Sequence, residues 1–474
     1  AGFFGRINYN YKERYLLEIN GRYDGSSRFI GDKRWGFFPS FSAGWNVSRE
    51  PFWRDLEHIV NNFKIRGSWG ELGNCNTTAF YPFYQTMPTG VENSGWLING
   101  KKPNTASAPG IVSAEMTWET VRSWNIGFDF GLLNNRLTGS FDYFVRNTLD
   151  MIGPAPQLPA TLGATVPKVN NADMKAWGFE VEVSWRDRIK DFNYGVKFVL
   201  SDDQRKVTRY PNEELNRNQW YAGRMDGLVW GYETVGIAKT DAEMEAHLAS
   251  LPNGGQSQLG SKWAAGDIMY KDLNGDGKIS SGDGTLNDLG DLKVVANTQL
   301  RFKYGLTLDA SWKGFDFSAF FQGVGKRDVV VGGPYFWGAN GQGMWQAAAF
   351  KDHMDYFRPE DTESVFGPNV DAYYPRVIFG GGSSEGGKNT LTQSRYVQNG
   401  AYIRLKNLQL GYTLPSTITK KFAVNSLRVY VSGDNLWTGT KMRVFDPEVL
   451  GSTGDAGKAY PLARVWSVGL NVNF

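Results

Sequence analysis

The chain has 474 residues and nearly balanced charge, 51 Lys+Arg against 48 Asp+Glu, and a net charge of +3 gives no reason to invoke nucleic acid. A single cysteine, Cys75, excludes an internal disulfide framework and a cysteine-rich zinc site, and the three histidines (His58, His247, His353) lack metal-ligand spacing. Aromatics at 15% and 57 glycines against 19 prolines suit strands, tight turns and interfacial girdles, while no apolar run reaches the roughly 18 residues of a spanning helix.

Strict alternation of apolar and polar residues, the period-two mark of a strand with unlike faces, begins at once. Ile7, Tyr9 and Tyr11 alternate with Arg6, Asn8 and Asn10; after a turn at Lys12-Glu13, Tyr15, Leu17, Ile19 and Tyr23 alternate with Glu18, Asn20 and Arg22. The pattern recurs over 37–47 and 63–69, then over 124–132 against 137–145 across the turn pair Asn134-Asn135. It continues over 177–185, 192–200, 302–311, 315–322, 403–414, 427–435 and 466–474, giving about thirteen predicted strands. A mean hydropathy of −0.41 is no objection to a membrane location, because a barrel strand shows lipid only every second residue.

The connections carry more information than the strands. Links near residues 13, 134, 188 and 313 are very short, and those near 49–60 and 415–424 are moderate. The others, 25–34, 72–120, 150–175, 204–298, 324–400 and 437–462, are generally longer, and shorter and longer links alternate along the chain. Short periplasmic turns and long extracellular loops give an outer-membrane barrel this asymmetry, whereas a soluble sandwich or propeller has no cause to place every long loop on one side. The expected fold is therefore all-β, a transmembrane antiparallel barrel. An odd strand count and an opening directly on a strand lead to the further expectation that preceding strands close it.

The segments "GRINYNYKERYLLEINGRYDGSSRF", "RWGFFPSFSAGWNVSREPFW", "FKIRGSWGELGN", "TWETVRSWNIGFDFGLLNNRLTGSFDYFVRNTLDMI" and "GDIMYKDLNGDGKI" resemble the barrel of the SusC/RagA family of TonB-dependent receptors. So do "GAYIRLKNLQLGYTLP", "LRVYVSGDNLW", "FDPEV" and the final "SVGLNVNF". The resemblance implies that residues 1–474 are the carboxy-terminal part, roughly the last three-fifths, of a 22-stranded barrel whose plug and first strands lie elsewhere. It also implies bacterial outer-membrane uptake of oligosaccharides or peptides, energised through the TonB complex, with a SusD-like lipoprotein as lid. One departure is local: "LGDLKVVANTQLRFK" stands where the family shows an Asn-Pro-rich approach, which bears on the course of that loop.

The sharpest chemical motif lies in the long 204–298 loop, over residues 272–283. Asp272, Asn274 and Asp276 at positions 1, 3 and 5, the Lys278 carbonyl at 7, Ser280 at 9 and Asp283 at 12 form an EF-hand-like oxygen set for a structural Ca²⁺. Gly277 supplies the sharp turn; the plain alternative is an Asx/Gly turn with no ion. The run Gly382–Asn389 nearly spells a phosphate loop but lacks the Ser/Thr after Lys388, and reads as a flexible loop. Loop aromatics Trp96, Trp220, Tyr221, Trp230, Tyr335, Trp337 and Trp345 are candidate substrate contacts, with loop-core packing as the alternative. Trp35, Trp45, Trp124 and Trp177 read as interfacial girdle. No nucleophile elbow, histidine pair or glycosidase carboxylate pair supports an enzyme. The competing readings are a passive porin and a soluble calcium-dependent carbohydrate-binding β-protein.

Overall fold

The computed structural model describes residues 1–474 except 78–79, 92–95, 107–108, 154, 156–160, 162–165, 341–348, 379–383 and 451–459. Thirteen long strands form one antiparallel sheet: β1 Gly2–Tyr11, β2 Tyr15–Gly25, β3 Trp35–Asn46, β4 Val60–Asn74, β5 Glu119–Leu132, β6 Leu137–Ile152 and β7 Asn170–Ile189. β8 Phe192–Arg209, β9 Arg301–Trp312, β10 Phe315–Lys326, β11 Tyr402–Thr413, β12 Ser426–Thr440 and β13 Val465–Asn473 complete it. Each strand is hydrogen-bonded to the next in sequence order. Every predicted strand is present, and most extend beyond their predicted ends. Among the described residues no helix is long and apolar enough to cross a membrane.

The chain divides into two compact units. The first is Ala1–Phe179, Gln204–Glu213 and Gln219–Arg224; the second is Glu180–Asp203, Glu214–Asn218 and Met225–Phe474.

In the first unit the register aligns like with like. Ile7 pairs with Ile19, Ile19 with Phe41, Phe41 with Trp69, Trp69 with Trp124, and Trp124 with Val145, an apolar row across six strands. The neighbouring row is Asn8, Glu18, Ser42, Ser68 and Asn125. A one-residue slip would exchange these faces, so the alternation itself fixes the pairing. Ile7 is 67% exposed and Phe41 45%, an apolar face that water would penalise and lipid would not. On the other face Arg66 of β4 grips Asp129 of β5 and Asp142 of β6.

The second unit repeats the arrangement. Phe192, Trp312, Phe315, Tyr412, Val429 and Leu470 form one row, and Tyr194, Ala310, Phe317, Leu410, Val431 and Val468 the next row on that face. Arg301 with Asp202 and Arg428 with Asp316 join strands by side-chain ion pairs. A bulge between Leu405 and Asn407 leaves Lys406 out of register and turns its ammonium to Glu448, 2.8 Å away.

The tight links require left-handed backbone. Lys12 and Glu13 have φ of 53° and 57°, Leu133 to Asn135 lie between 54° and 59°, and Lys190 and Lys313 are at 54° and 45°. The pairs Lys12-Glu13, Asn134-Asn135 and Lys313-Gly314 suit type I′-like hairpin turns, whose twist matches that of the flanking strands, while in the Lys190-Asp191 link only the first residue is left-handed.

Candidate functional site

In the second unit the long links fold into a lobe with its own core. Strand Leu228–Tyr232 pairs with Leu292–Asn297, Thr234–Ile237 with Ile268–Tyr270, and Asp328–Val330 with Val397–Asn399. The unusual "LKVVAN" segment is thus a strand inside the lobe. Helix α1, Asp241–Ala249, starts where the Thr240 hydroxyl accepts the Glu243 N–H at 3.2 Å. Tyr232, Ile268, Tyr270, Ile279, Val329, Phe336, Tyr374 and Tyr396 pack together in its interior.

A charged cluster is buried beside this core. Lys388 and Asp267 are both fully buried, with Nζ 3.0 Å from the Asp267 carboxylate, 3.1 Å from Glu385 and 2.8 Å from the Ser261 carbonyl. The ammonium also lies 4.5 Å from the Trp263 ring centroid. Asp267 further accepts from Arg376 at 2.6 and 2.7 Å, from Asn389 at 2.8 Å and from the Ala264 N–H at 3.0 Å. The flexible-loop reading is therefore corrected for Lys388 and Asn389, whose charge and amide are consumed as internal partners; residues 382–383 lie outside the described residues. Hydrogen bonds from Ser261, opposed by partial burial and aided by Lys388, hold the Glu385 carboxyl down at about 2. A depressed carboxyl stabilises the fold above its ordinary value of 4.5, and that contribution is lost as pH falls toward 2. Protection factors of 256–270 and 385–393, taken relative to the intrinsic exchange rate at each pH, should accordingly fall as pH drops through that window, and less steeply in Glu385→Gln; parallel profiles would remove Glu385 from the account.

The residues proposed for calcium form successive Asx turns. Asp272 accepts the N–H groups of Gly275 and Gly277 at 2.6 and 2.9 Å, Asn274 accepts from Asp276 at 3.0 Å, and Asp276 accepts from Lys278 at 3.1 Å. Burial works to raise the Asp272 carboxyl, but the Gly277 and Gly275 donors outweigh it and leave it below its ordinary value. The Asp272 carboxylate is also hydrogen-bonded to the Asp276 N–H and to Asp291, and Asp276 also accepts from the Asn274 side-chain amide at 3.1 Å. Asp283 is occupied elsewhere: its carboxylate accepts the Thr285 N–H at 2.7 Å. Asp291, which lies beyond the twelve-residue frame and which spacing therefore missed, is the acid tied into the loop. It is fully buried and takes the N–H groups of Leu273 and Ser280, each at 2.7 Å. Burial raises its carboxyl, the two N–H donors oppose that, and the charges of Asp272 and Asp276 add to the rise. Among the described residues no three His, Cys, Asp or Glu side chains already stand grouped for a metal.

The candidate aromatics separate by exposure. Trp96 is 73% exposed, Trp220 38% and Tyr335 39%, while Tyr221 and Trp230 are half-buried. Trp337 is packed edge-on against Phe336, Tyr374 and Tyr396 inside the lobe core, so there the loop-core alternative describes the ring. Trp345 lies outside the described residues. Near the sheet, Lys303, Gln322, Arg327, Tyr402 and Glu448 help line a cavity of about 690 Å³. Its edge is fixed by Arg404, which binds Glu448 at 2.8 Å and Asp446 at 2.7 Å.

Comparison with known proteins agrees with this architecture. The family described as TonB dependent receptor-like, beta-barrel matches residues 1–436. TonB-dependent receptor P3 of Formosa agariphila is 28% identical over 495 residues, covering 99% of this chain and 45% of that protein. TonB-dependent receptor SusC of Bacteroides thetaiotaomicron is 26% identical over 479 residues, covering 100% of this chain and 44% of that protein. The chain thus spans less than half the length of these relatives. The solved structure of the RagAB peptide transporter superposes with a TM-score of 0.74 at 22% identity, over 100% of this chain and 47% of that one, a likeness of fold. With these matches and an apolar-faced antiparallel sheet, the chain belongs to the TonB-dependent receptor β-barrel family, in its SusC/RagA branch, and its place is the outer membrane.

Proposed function

We propose that this chain is the carboxy-terminal part of an importer that takes up oligosaccharides or peptides, is energised through TonB and is capped by a SusD-like lipoprotein. The observation that carries the reading is the family match along residues 1–436. The names SusC and RagAB among its relatives and structural neighbours support it. In this reading the lobe built from the long links faces the cell exterior. Trp96, Trp220 and Tyr335 offer rings for stacking on sugars or apolar side chains. Tyr221 and Trp230 are secondary candidates.

Calcium in this scheme braces the 272–283 turn, with Asp272, Asn274, Asp276, the Lys278 carbonyl and Ser280 as ligands. Asp283, tied to Thr285, must turn to join them. The Asp272→Ala/Asp276→Ala variant is expected to lose bound calcium, read as metal content of the purified protein; unchanged content disposes of the ion. The importer reading is tested by intact-mass and peptide mass spectrometry on detergent-extracted native complexes. A plug-bearing segment and a surface lipoprotein should co-isolate. A lone 53.0-kDa chain, soluble without detergent, would overturn the reading.

A further inference from the structure

Two of the tightest hairpin links in the second unit place a lysine where the backbone least favours one. Lys190, between β7 and β8, and Lys313, between β9 and β10, both have left-handed φ, a conformation that Asn or Gly fills with less strain. Turn geometry by itself gives no preference for a cation there. The two links adjoin, because Phe192 at the start of β8 pairs with Trp312 at the end of β9. Trp312 pairs in turn with Phe315, and Phe315 with Tyr412, so an aromatic row runs directly beside both lysines. Phe192, Trp312 and Phe315 are 40%, 51% and 47% exposed. Lys313 Nζ stands 5.6 Å from the Trp312 ring centroid. Arg188 is folded back on the same turn, its Nε 2.5 Å from the Lys190 carbonyl. Across the two links Arg186, Arg188, Lys190 and Lys313 stand against Asp187 and Asp191, leaving cations in excess there.

Rings of this kind settle at the boundary between hydrocarbon and headgroups, and lysine stems reach from there toward the phosphate layer. We propose that this rim binds the headgroup of an anionic phospholipid, with Lys190 and Lys313 donating to its phosphate and the aromatic row bedding the glycerol region. Short turns of bacterial barrels face the periplasm, so the lipid belongs to the inner, phospholipid leaflet. The inference stands on the outer-membrane placement and is independent of what is imported. A comparable pair occurs within the first unit, where Lys12, also left-handed, lies 5.2 Å from the Tyr11 ring centroid.

The test is a lipid titration of the whole receptor in detergent, followed by native mass spectrometry, with phosphatidylglycerol and phosphatidylethanolamine as probes. The wild type should retain phosphatidylglycerol preferentially. Lys313→Asn alone should weaken that retention about fivefold, and Lys190→Asn/Lys313→Asn about 25-fold. Asn suits the left-handed turn, so both variants should keep the heat-modifiable gel mobility of a folded barrel. Equal retention of the two lipids by the wild type, or undiminished phosphatidylglycerol binding by the double variant, overturns the proposal. A double variant that fails to fold also counts against it, since the lysines would then be structural.

Discussion

Replacing Lys388 by Ala is expected to destabilise the lobe by about 3 kcal/mol, the lower end of the range for breaking a buried ion pair. The side chain is fully buried, and its ammonium meets Asp267, Glu385 and the carbonyls of Ser261 and Lys262. Alanine leaves these acceptors short of a donor and opens space beneath Trp263. Arg376 and Asn389 stay on Asp267, which is why the loss should not reach the upper end of that range. Lys388→Met keeps the stem and removes only the charge, so it should fall between alanine and wild type. Hydrogen exchange in residues 256–270 reads the effect, and an alanine variant exchanging like wild type there would show the cluster to be energetically idle.

Leu410→Arg should cost about 2 kcal/mol in a lipid bilayer. Leu410 is 56% exposed and lies in register with Phe317 and Val431, one row in from the aromatic rim. Arginine on the lipid face of a barrel costs about 2–4 kcal/mol at mid-depth and less toward the interfaces. The same substitution on a water-exposed surface would change stability by no more than about 0.5 kcal/mol. The neighbouring Gln409 pairs with Ser318 and Ser432 on the opposite, polar face, so Gln409→Arg is the matched control and should be nearly silent. Urea unfolding of the reconstituted receptor separates the cases. Equal, small effects at both positions would mean that the apolar rows do not face lipid.

The sheet was legible because each of its strands states its face every second residue. Ile7, Tyr9 and Tyr11 need no distant partner to reveal their pattern. Strand ends were harder: β4 runs Val60–Asn74 where only 63–69 alternates, since beyond that stretch glycines and mixed residues obscure the two faces. The lobe was largely hidden. Its strands are as short as Ile268–Tyr270, with all three residues buried, so no alternation arises. Lys388 lies in a Gly/Ser-rich stretch, and what makes it a core residue is Asp267, whose partner Asn389 is 122 residues away in sequence. Asp291 was missed for a related reason: a ligand-spacing rule searches a twelve-residue frame, and here a residue outside that frame tethers the turn. The exposed aromatics were found by type, but Trp337 shows that residue type does not distinguish a vestibule ring from a core one.

The alternation of link lengths bears on how the sheet comes together. Lys190 and Asp191 alone separate β7 from β8, and Lys313 and Gly314 alone separate β9 from β10, so these hairpins can zip with almost no loop-closure cost. Joining β8 to β9 must instead close residues 210–300. Because closure entropy grows only with the logarithm of length, that step costs about 3 kcal/mol more than a two-residue turn. Hairpins are thus the natural quanta of assembly, laid side by side, and long links can lengthen or diversify between them at small energetic expense. Evolution is free to rewrite the lobe while the sheet beneath keeps its register.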